Sequence, residues 1–220
     1  MTEHHLTVSR TARYYTLGTF SEHTRNVWFC LHGFGQLASY FSRKFTGLVD
    51  EHTVVVVPEG LSRLYLDNTY TRIGASWLTR EDRDAEIADF TNYLNTLYDQ
   101  LLTRQGVSDQ PSPPLHVTVL GFSQGAATAC RWIDNGHIRV DRLILWAGFF
   151  PNGLVDIIDP SRLADLETHY VYGLQDELIQ RLPDADTYVD RLKADVPNLF
   201  VTTYDGGHRV EPAVLNTILA

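Results

Sequence analysis

The stretch LHVTVLGFSQGAAT, residues 115–128, decides the fold, because it joins a β-rich run to a small-residue run through a serine flanked by glycines. Residues 116–120 are mostly apolar or β-branched, as in a buried strand, and the alanines after Gly125 predict a helix slim enough to pack on a sheet. Gly121, Ser123 and Gly125 fit G-x-S-x-G, in which the serine lies on a strained turn between strand and helix. The alternative interpretation is a glycine turn with an inert serine.

Other short β-rich runs recur along the chain with helical patterns between them, which predicts a mostly parallel central sheet with helices on both faces. These runs are NVWFCL (26–31), TVVVVP (53–58), RLILWAG (142–148), HYVYG (169–173) and NLFVTTYDG (198–206). The segment 5–18 alternates enough to supply one or two antiparallel edge strands. Because no linker or composition shift divides the 220 residues, we expect a single α/β domain over residues 1–220.

The clearest predicted helix follows the segment ASWLT, residues 75–79. Its apolar residues recur at three- and four-residue spacing and share one face: Ile87, Phe90, Leu94, Leu97, Tyr98 and Leu101. Thr79 and Asp82 resemble a capping box at its start, and Gly106 is predicted to end it. Further helices are expected directly after Ser123, over about 184–194, and from residue 212 to the end.

The segment 59–77 is too long for an ordinary link between a strand and a helix, and we expect it to form a wall of a binding site. Three apolar residues in or beside it are predicted to bind substrate next to the serine: Ile73, Trp77 and Leu78. The alternative for Trp77 and Leu78 is that they only staple the loop to the following helix. Tyr65 and Tyr70, in the same segment, are expected to be exposed.

Composition argues against several classes of partner. The formal charge of −9 and the pI near 5.4 favour neither nucleic acid nor an anionic membrane surface, since both require clustered Lys and Arg. The longest apolar runs are too short to span a bilayer, and the first residues lack the pattern of a signal peptide, so we expect a cytoplasmic protein without a membrane span. Cys30 and Cys130 lie in apolar segments and are expected to be free and buried.

A nucleophilic serine needs a histidine to accept its proton and a carboxylate to orient that histidine. In a strand-elbow-helix architecture the acid and then the histidine follow the serine along the chain. His208, in TTYDGGHRVEP after the last predicted strand, is the predicted base. His137 should instead end the helix after the elbow, and His169 should begin a strand at the wrong edge of the sheet.

The predicted acid is Asp176, in the loop that follows the next-to-last strand in HYVYGLQDELI. Asp205 is the alternative, but it lies only three residues before His208, which suits a turn residue better than a partner that reaches across the site.

The oxyanion of a tetrahedral intermediate needs two N–H donors, one from the residue after the nucleophile and one from a loop after an early strand. The backbone of Gln124 is the first predicted donor. The loop CLHGFGQ, residues 30–36, offers the second, assigned to the N–H of Phe34. His32 in this loop precedes the serine and is expected to have a structural hydrogen-bonding role.

The motifs LHGFG, GFSQG, GLQD and GGH together resemble the carboxylesterase/phospholipase family of the α/β-hydrolase superfamily, which includes acyl-protein thioesterases and small bacterial carboxylesterases. The resemblance runs from about Asn26 to the end of the chain. It implies an α/β-hydrolase fold without a large cap domain and a reaction that needs no cofactor. It also implies the following site: a triad of Ser123, Asp176 and His208, with Phe34 and Gln124 in the oxyanion hole. No metal-binding spacing such as H-E-x-x-H is present in the sequence.

The chain departs from the family pattern where substrate would bind. Members often carry Trp-Phe-Asp before the long helix, whereas Trp77 is followed here by Leu78 and Thr79. Ala126 stands where a second glycine often follows the elbow. Long-chain thioesterase activity is therefore not implied by the resemblance alone.

The leading prediction is a serine hydrolase that cleaves carboxylic esters or thioesters through an acyl-enzyme, with a small-molecule ester or a lipid-like compound as substrate. A peptide or amide hydrolase is one alternative. A hydrolase scaffold that binds a small ligand without turnover is the other. The sequence indicates neither the acyl chain length, nor the leaving group, nor the oligomeric state.

Overall fold

The centre of the protein is a seven-stranded sheet with strand order β1-β3-β2-β6-β7-β8-β9, seen in a computed structural model that describes residues 1–104, 114–182 and 185–218. Its strands are β1 (Tyr14–Leu17), β2 (Asn26–Leu31), β3 (Thr53–Pro58), β6 (His116–Phe122), β7 (Arg142–Trp146), β8 (Glu167–Gly173) and β9 (Phe200–Tyr204). Only the edge strand β1 runs antiparallel to its neighbour. The predicted mostly parallel sheet is confirmed, and segment 5–18 supplies one edge strand.

The helices are α1 (Ala38–Phe41), α2 (Arg83–Arg104), α3 (Gln124–Asn135), α4 (Glu177–Gln180), α5 (Ala185–Asp195) and α6 (Pro212–Ile218), with 3₁₀ turns at Ser42–Leu48 and Pro160–Arg162. The helices predicted after Ser123, around 184–194 and from residue 212 are present as α3, α5 and α6. Gly106, the predicted end of α2, lies outside the described residues, as do residues 184, 219 and 220.

Helices cover both faces of the sheet because successive strand residues point to opposite sides. In β2, Val27 and Phe29 pack into one apolar cluster with residues of α2, α3 and α5. Trp28 and Cys30 pack into a second cluster with residues of α1, the first 3₁₀ turn and α6. Cys130 lies in the first cluster, and both cysteines are free and buried as expected.

The predicted capping box of Thr79 and Asp82 is wrong. Helix α2 begins at Arg83, four residues after Thr79, and both the N–H and the hydroxyl of Thr79 donate to the Glu86 carboxylate instead. The Asp82 carbonyl accepts the Glu86 N–H at 3.1 Å. The chain thus makes an additional turn between Thr79 and the helix, with Asp82 at φ +47°, and the long Glu86 side chain bridges that turn.

Segment 59–77 contains a hairpin rather than an open loop. Strand β4 (Ser62–Tyr65) pairs antiparallel with β5 (Ile73–Ser76) outside the main sheet. The hairpin is tied to the loop after β2, since the Gly35 N–H donates to the Ala75 carbonyl at 2.8 Å. It therefore forms a wall beside the carboxyl end of β2.

The parallel register brings the segments predicted to be functional to one edge of the sheet. Leu31 at the end of β2 pairs with Gly121 in β6, and Phe122 pairs with Trp146 at the end of β7. At the far side, Gly173 at the end of β8 pairs with Tyr204 at the end of β9. Ligands of open α/β sheets bind at this edge, where the carboxyl ends of the strands meet.

Candidate active site

Ser123 occupies the turn between β6 and α3 in a conformation that non-glycine residues rarely adopt, with φ +53° and ψ −117°. Such a conformation costs on the order of 1–3 kcal/mol and persists only when the surroundings hold it. Here the Ser123 N–H donates to the Trp146 carbonyl at 2.8 Å, and the Ser123 carbonyl accepts the Ala126 N–H at 3.0 Å. The turn presents a half-buried serine side chain beside the carboxyl ends of the strands.

The two glycines of the elbow are required by close backbone contacts. A Cβ added to Gly121 would lie 2.2 Å from the Gly125 carbonyl oxygen, and one added to Gly125 would lie 2.2 Å from the Leu31 carbonyl oxygen. Both contacts are with backbone, which has no freedom to move away. The G-x-S-x-G spacing is therefore explained by the crossing of β6, α3 and the end of β2.

The predicted acid and base contact each other directly. His208 Nδ1 lies 2.8 Å from Asp176 Oδ2, and the Asp176 side chain is 0% exposed. The other carboxylate oxygen, Oδ1, accepts the Leu178 N–H at 3.0 Å and caps the start of α4. Asp176 is thus held from both sides, and the histidine ring is held by it.

The alternative acid and the other downstream histidines lie elsewhere. Asp205 is exposed and accepts a hydrogen bond from the Gln175 side chain at 2.6 Å. His137 pairs with Asp99 at 2.9 Å on the surface. His169 lies near the amino end of β8 beside Glu167, 2.8 Å away, which is the opposite end of the strand from Asp176. Of these residues, only Asp176 pairs with His208 in the part of the chain that the structure describes.

His208 lies against the residue that precedes Ser123. The His208 ring packs 4.9 Å, centroid to centroid, from the ring of Phe122, the residue before the serine. Among the hydrogen bonds of the described residues there is none between the Ser123 hydroxyl and His208. Catalytic hydrogen bonds are often long before substrate binds and tighten in the complex, so the lack of this bond does not exclude His208 as the base.

The loop after β2 passes next to the serine. A Cβ added to Gly33 would lie 3.2 Å from the Ser123 Cβ. Several hydrogen bonds hold the loop, among them Gly33 N–H to the Gln36 side chain at 2.9 Å, Gln36 N–H to the Gly33 carbonyl at 3.2 Å, and Gly35 N–H to the Ala75 carbonyl at 2.8 Å. Within the described residues the Phe34 N–H donates to no protein acceptor, and Gln124, as the first residue of α3, has no partner one turn back in the helix.

His32 has the structural role that its position predicts. Its Nε2 accepts the Gly60 N–H at 2.9 Å, so the proton resides on Nδ1, which donates to the Gly33 carbonyl at 2.8 Å. Burial lowers the pKa of His32, although the bond to Gly33 and the charge of Glu59 act in the opposite direction. The ring is therefore a neutral strut between the loop after β2 and the residue that follows Glu59.

Glu59 is a buried carboxylate that the sequence reasoning missed. It accepts three hydrogen bonds from the Arg13 guanidinium, at 2.7, 2.9 and 3.1 Å, one from Arg63 at 2.8 Å and one from the Ala38 N–H at 3.1 Å. Burial alone would raise the pKa of Glu59, but hydrogen bonds from Arg63, Arg13 and Ala38 outweigh it and hold the pKa below its ordinary value. The one feature of the sequence that points to Glu59 is its position as an acidic residue directly after the apolar run 53–58.

Trp77 is placed in the core. Its indole is 2% exposed, donates to the His32 carbonyl at 2.8 Å and packs edge-on against Phe90 of α2. Leu78 is partly buried against the same core, and its carbonyl accepts the Gln124 side chain at 2.8 Å. This placement favours the staple interpretation for Trp77 and Leu78. The Gln124 side chain, not anticipated, locks the end of the hairpin to the elbow.

Ile73 is exposed and lines a cleft of about 610 Å³ between the hairpin and α1, next to the loop after β2. Gly35, Tyr40 and Arg72 also line this cleft. Tyr65 and Tyr70 are exposed, as expected. Of the three residues predicted to bind substrate, Ile73 is the exposed one, and its cleft adjoins the loop after β2.

Comparison with known proteins identifies the family and the fold. A family model described as serine hydrolase (FSH1) matches residues 23–214. A search of curated proteins finds no match. Among solved structures, Zea mays acyl-protein thioesterase 2 is 20% identical, with a TM-score of 0.63 and coverage of 94% of this chain and 96% of that one. A carboxylesterase from Mesorhizobium loti is 18% identical, with a TM-score of 0.64 and coverage of 94% of both chains.

Arabidopsis thaliana SOBER1 is 14% identical, with a TM-score of 0.62, and the match covers 89% of this chain and 96% of that one. At such identities these likenesses establish the fold, and they confirm the α/β-hydrolase architecture predicted from the motifs. In the described residues no helix is both long and apolar enough to cross a membrane. Because the family model covers most of the chain, the protein belongs to the FSH1 family of serine hydrolases and is a hydrolase of the α/β-hydrolase superfamily.

Proposed function

We propose that this hydrolase cleaves carboxylic esters or thioesters through an acyl-enzyme formed on Ser123, with His208 as the base and Asp176 as the acid that orients it. The observation that carries the proposal is the 2.8 Å contact between His208 Nδ1 and the wholly buried Asp176 carboxylate, in a loop next to the strained serine turn. A buried carboxylate at Nδ1 keeps the proton on that nitrogen and leaves Nε2 free to accept one.

In the acylation step, the Ser123 Oγ attacks the carbonyl carbon of the substrate while His208 Nε2 takes the serine proton. The bond from Oγ to carbon forms, and the carbonyl electron pair moves to oxygen. When the intermediate collapses, the bond to the alcohol or thiol breaks and His208 returns the proton to the leaving group. Water then attacks the acyl-enzyme by the same route and releases the acid.

The N–H groups of Phe34 and Gln124 are proposed to bind the oxyanion. The supporting facts are that the Phe34 N–H has no acceptor among the described residues, that Gln124 begins α3, and that Gly33 passes within contact of Ser123. Donors that are already fixed before reaction stabilise developing charge without reorganisation. The Gly33–Gln36 turn, His32 and the Glu59 ion pairs supply that rigidity.

Part of the substrate is proposed to lie in the cleft lined by Ile73 and Tyr40, beside Gly35. This cleft combines apolar side chains with the cationic Lys44 and Arg72, whereas Trp77 is buried and offers no surface. The related structures named above include an acyl-protein thioesterase and a carboxylesterase. That pairing supports an ester or thioester as the scissile group, with a small-molecule or lipid-like compound carrying it.

The test is hydrolysis of p-nitrophenyl esters from acetate to dodecanoate, and of the matching acyl thioesters, by the wild-type protein and by Ser123→Ala. We expect turnover that falls by roughly six orders of magnitude in the variant. The chain-length optimum then gives the size of the acyl site, and Ile73→Ala should shift it if the cleft holds the acyl group. Turnover by Ser123→Ala within tenfold of wild type would refute the proposal.

A further inference from the structure

A second cleft, of about 590 Å³, lies between the first turns of α2 and the last turns of α3. Arg83 and Thr91 of α2 line it, together with Arg131 and Asn135 of α3. Arg131 follows Ser123 by eight residues, roughly 12 Å along the helix axis, toward the amino ends of the strands. The cleft is therefore separate from the candidate active site and has no part in the reaction proposed above.

Arg131 is a buried cation without a counterion. The residue is only 8% exposed, and among the described residues its guanidinium has one hydrogen bond, a long one from Nη1 to the Ala127 carbonyl in its own helix at 3.4 Å. In the described part of the chain no carboxylate lies within ion-pair distance of its guanidinium. A buried charge is costly unless it is paired and fully hydrogen-bonded. Binding of an anion would offset the cost of burying this guanidinium.

Arg83 adds a second positive charge to the same cleft. Burial lowers the pKa of Arg131, and the nearby Arg83 guanidinium lowers it further. Arg83 is exposed at the rim and forms no ion pair with any described residue. Two guanidinium groups that repel each other across a cleft are stabilised when an anion binds between them.

The acidic groups of the cleft do not neutralise its buried end. Asp84 and Asp156 are exposed at the rim, and Asp156 accepts a hydrogen bond from Asn152 at 3.2 Å. The charge of Asp156 raises the pKa of Arg131 and so opposes the effect of burial, but Asp156 is exposed to screening by water and salt and lies beyond ion-pair distance of Arg131. The Thr91 hydroxyl, also in the wall, is buried and has no partner among the described residues. The cleft thus offers the unpaired Thr91 hydroxyl and guanidinium N–H groups of Arg131 that have no acceptor among the described residues.

We infer that this cleft binds a small oxyanion, the carboxylate or phosphate group of a metabolite, with the guanidinium of Arg131 at its buried end and that of Arg83 at its rim. Guanidinium groups bind both kinds of oxyanion through paired, charge-assisted hydrogen bonds. The inference does not rest on the proposed ester hydrolysis, and its test needs no turnover.

The test follows the Nε–Hε signals of arginine by NMR in protein labelled with ¹⁵N-arginine, during titration with inorganic phosphate and, separately, with malonate at constant ionic strength. The Arg131 signal is assigned by its loss in Arg131→Lys. We expect a saturable shift of this signal, and the anion that saturates it at the lower concentration identifies the phosphate or the carboxylate class.

Arg83→Met is the second variant, because this exposed side chain is dispensable for folding and keeps the test informative if Arg131→Lys fails to fold. We expect about fivefold weaker binding in Arg83→Met. Arg139→Met, which removes an exposed arginine paired with Asp141 outside the cleft, should bind as wild type does. A shift that does not saturate with either anion, or equal affinity in Arg83→Met, would overturn the inference.

Discussion

Asp176→Asn separates the proposed triad from its alternatives with little change in structure. The two oxygens of Asp176 have different partners: Oδ1 accepts the Leu178 N–H at 3.0 Å, and Oδ2 contacts His208 Nδ1 at 2.8 Å. An asparagine keeps the first contact through its carbonyl oxygen. Its NH₂ group, however, faces Nδ1 as a donor, so Nδ1 must become the acceptor and the histidine proton moves to Nε2.

A proton on Nε2 prevents His208 from accepting the serine proton, so we expect kcat to fall by about 10⁴-fold. That factor corresponds to about 5 kcal/mol of activation free energy. The helix cap is retained, so the free energy of unfolding should change by no more than about 1 kcal/mol. A reduced rate with near-normal stability distinguishes loss of the proton acceptor from loss of the fold.

The assay measures kcat with p-nitrophenyl acetate and stability by urea unfolding for wild type, Asp176→Asn and Asp205→Asn. Asp205 is the matched control, because it is exposed and contacts Gln175 rather than the histidine. We expect the control to behave as wild type in both measurements. If Asp176→Asn retained kcat within tenfold of wild type, or if Asp205→Asn lost as much, the assignment of the acid would be refuted.

Three further substitutions test the supports of the site. In Gly125→Ala the new Cβ would lie 2.2 Å from the Leu31 carbonyl oxygen, so chemical denaturation should show a free energy of unfolding lower by roughly 1–3 kcal/mol or more. An unchanged unfolding midpoint would contradict the close approach. Because burial lowers the pKa of His32, the unfolded chain binds a proton that the folded chain does not, and wild type should lose stability as pH falls below about 6.5. In His32→Asn this part of the acid dependence should vanish, and a dependence of stability on pH identical to that of wild type would contradict a neutral His32. Trp77→Phe removes the indole bond to the His32 carbonyl and should cost about 1 kcal/mol of stability with an unchanged KM; a raised KM at unchanged stability would restore Trp77 to the substrate site.

The local parts of the fold were predictable because their signals are local. The β-branched runs at 53–58 and 116–122 became buried strands, and the glycine spacing around Ser123 became the elbow. The chain order of acid and base also has a local signature, since each follows a recognisable strand. Asp176 and His208 then lie together because β8 and β9 are adjacent in the sheet.

Features that depend on contacts between distant segments were not predictable. The strands β4 and β5 are only four residues each and pair with each other outside the main sheet, so their sequence does not distinguish them from a loop. Glu59 obtains its partners from Arg13, 46 positions away, and from Arg63. Trp77 was ambiguous because an aromatic residue after a long loop suits either a pocket or a core, and only the position of Phe90 and His32 decides between them.

The position of the helix start was misjudged for a similar reason. The spacing of Thr79 and Asp82 matches a capping box, yet Thr79 donates to the Glu86 carboxylate in the first turn of α2, and the helix begins only at Arg83. Arg131 gave no sequence signal, because one arginine in an alanine-rich helix ordinarily faces solvent. Its burial follows from the packing of α2 against α3, and the apolar pattern of either helix alone does not predict that packing.

The proposed reaction requires Ser123 to carry the acyl group during turnover. The most direct measurement is mass spectrometry of the protein quenched in acid during hydrolysis of a p-nitrophenyl ester, with peptide mapping of the adduct. We expect one acyl group on the peptide that contains Ser123 in wild type and none in Ser123→Ala. An acyl group on a different residue, or sustained Ser123-independent turnover without any adduct, would contradict it.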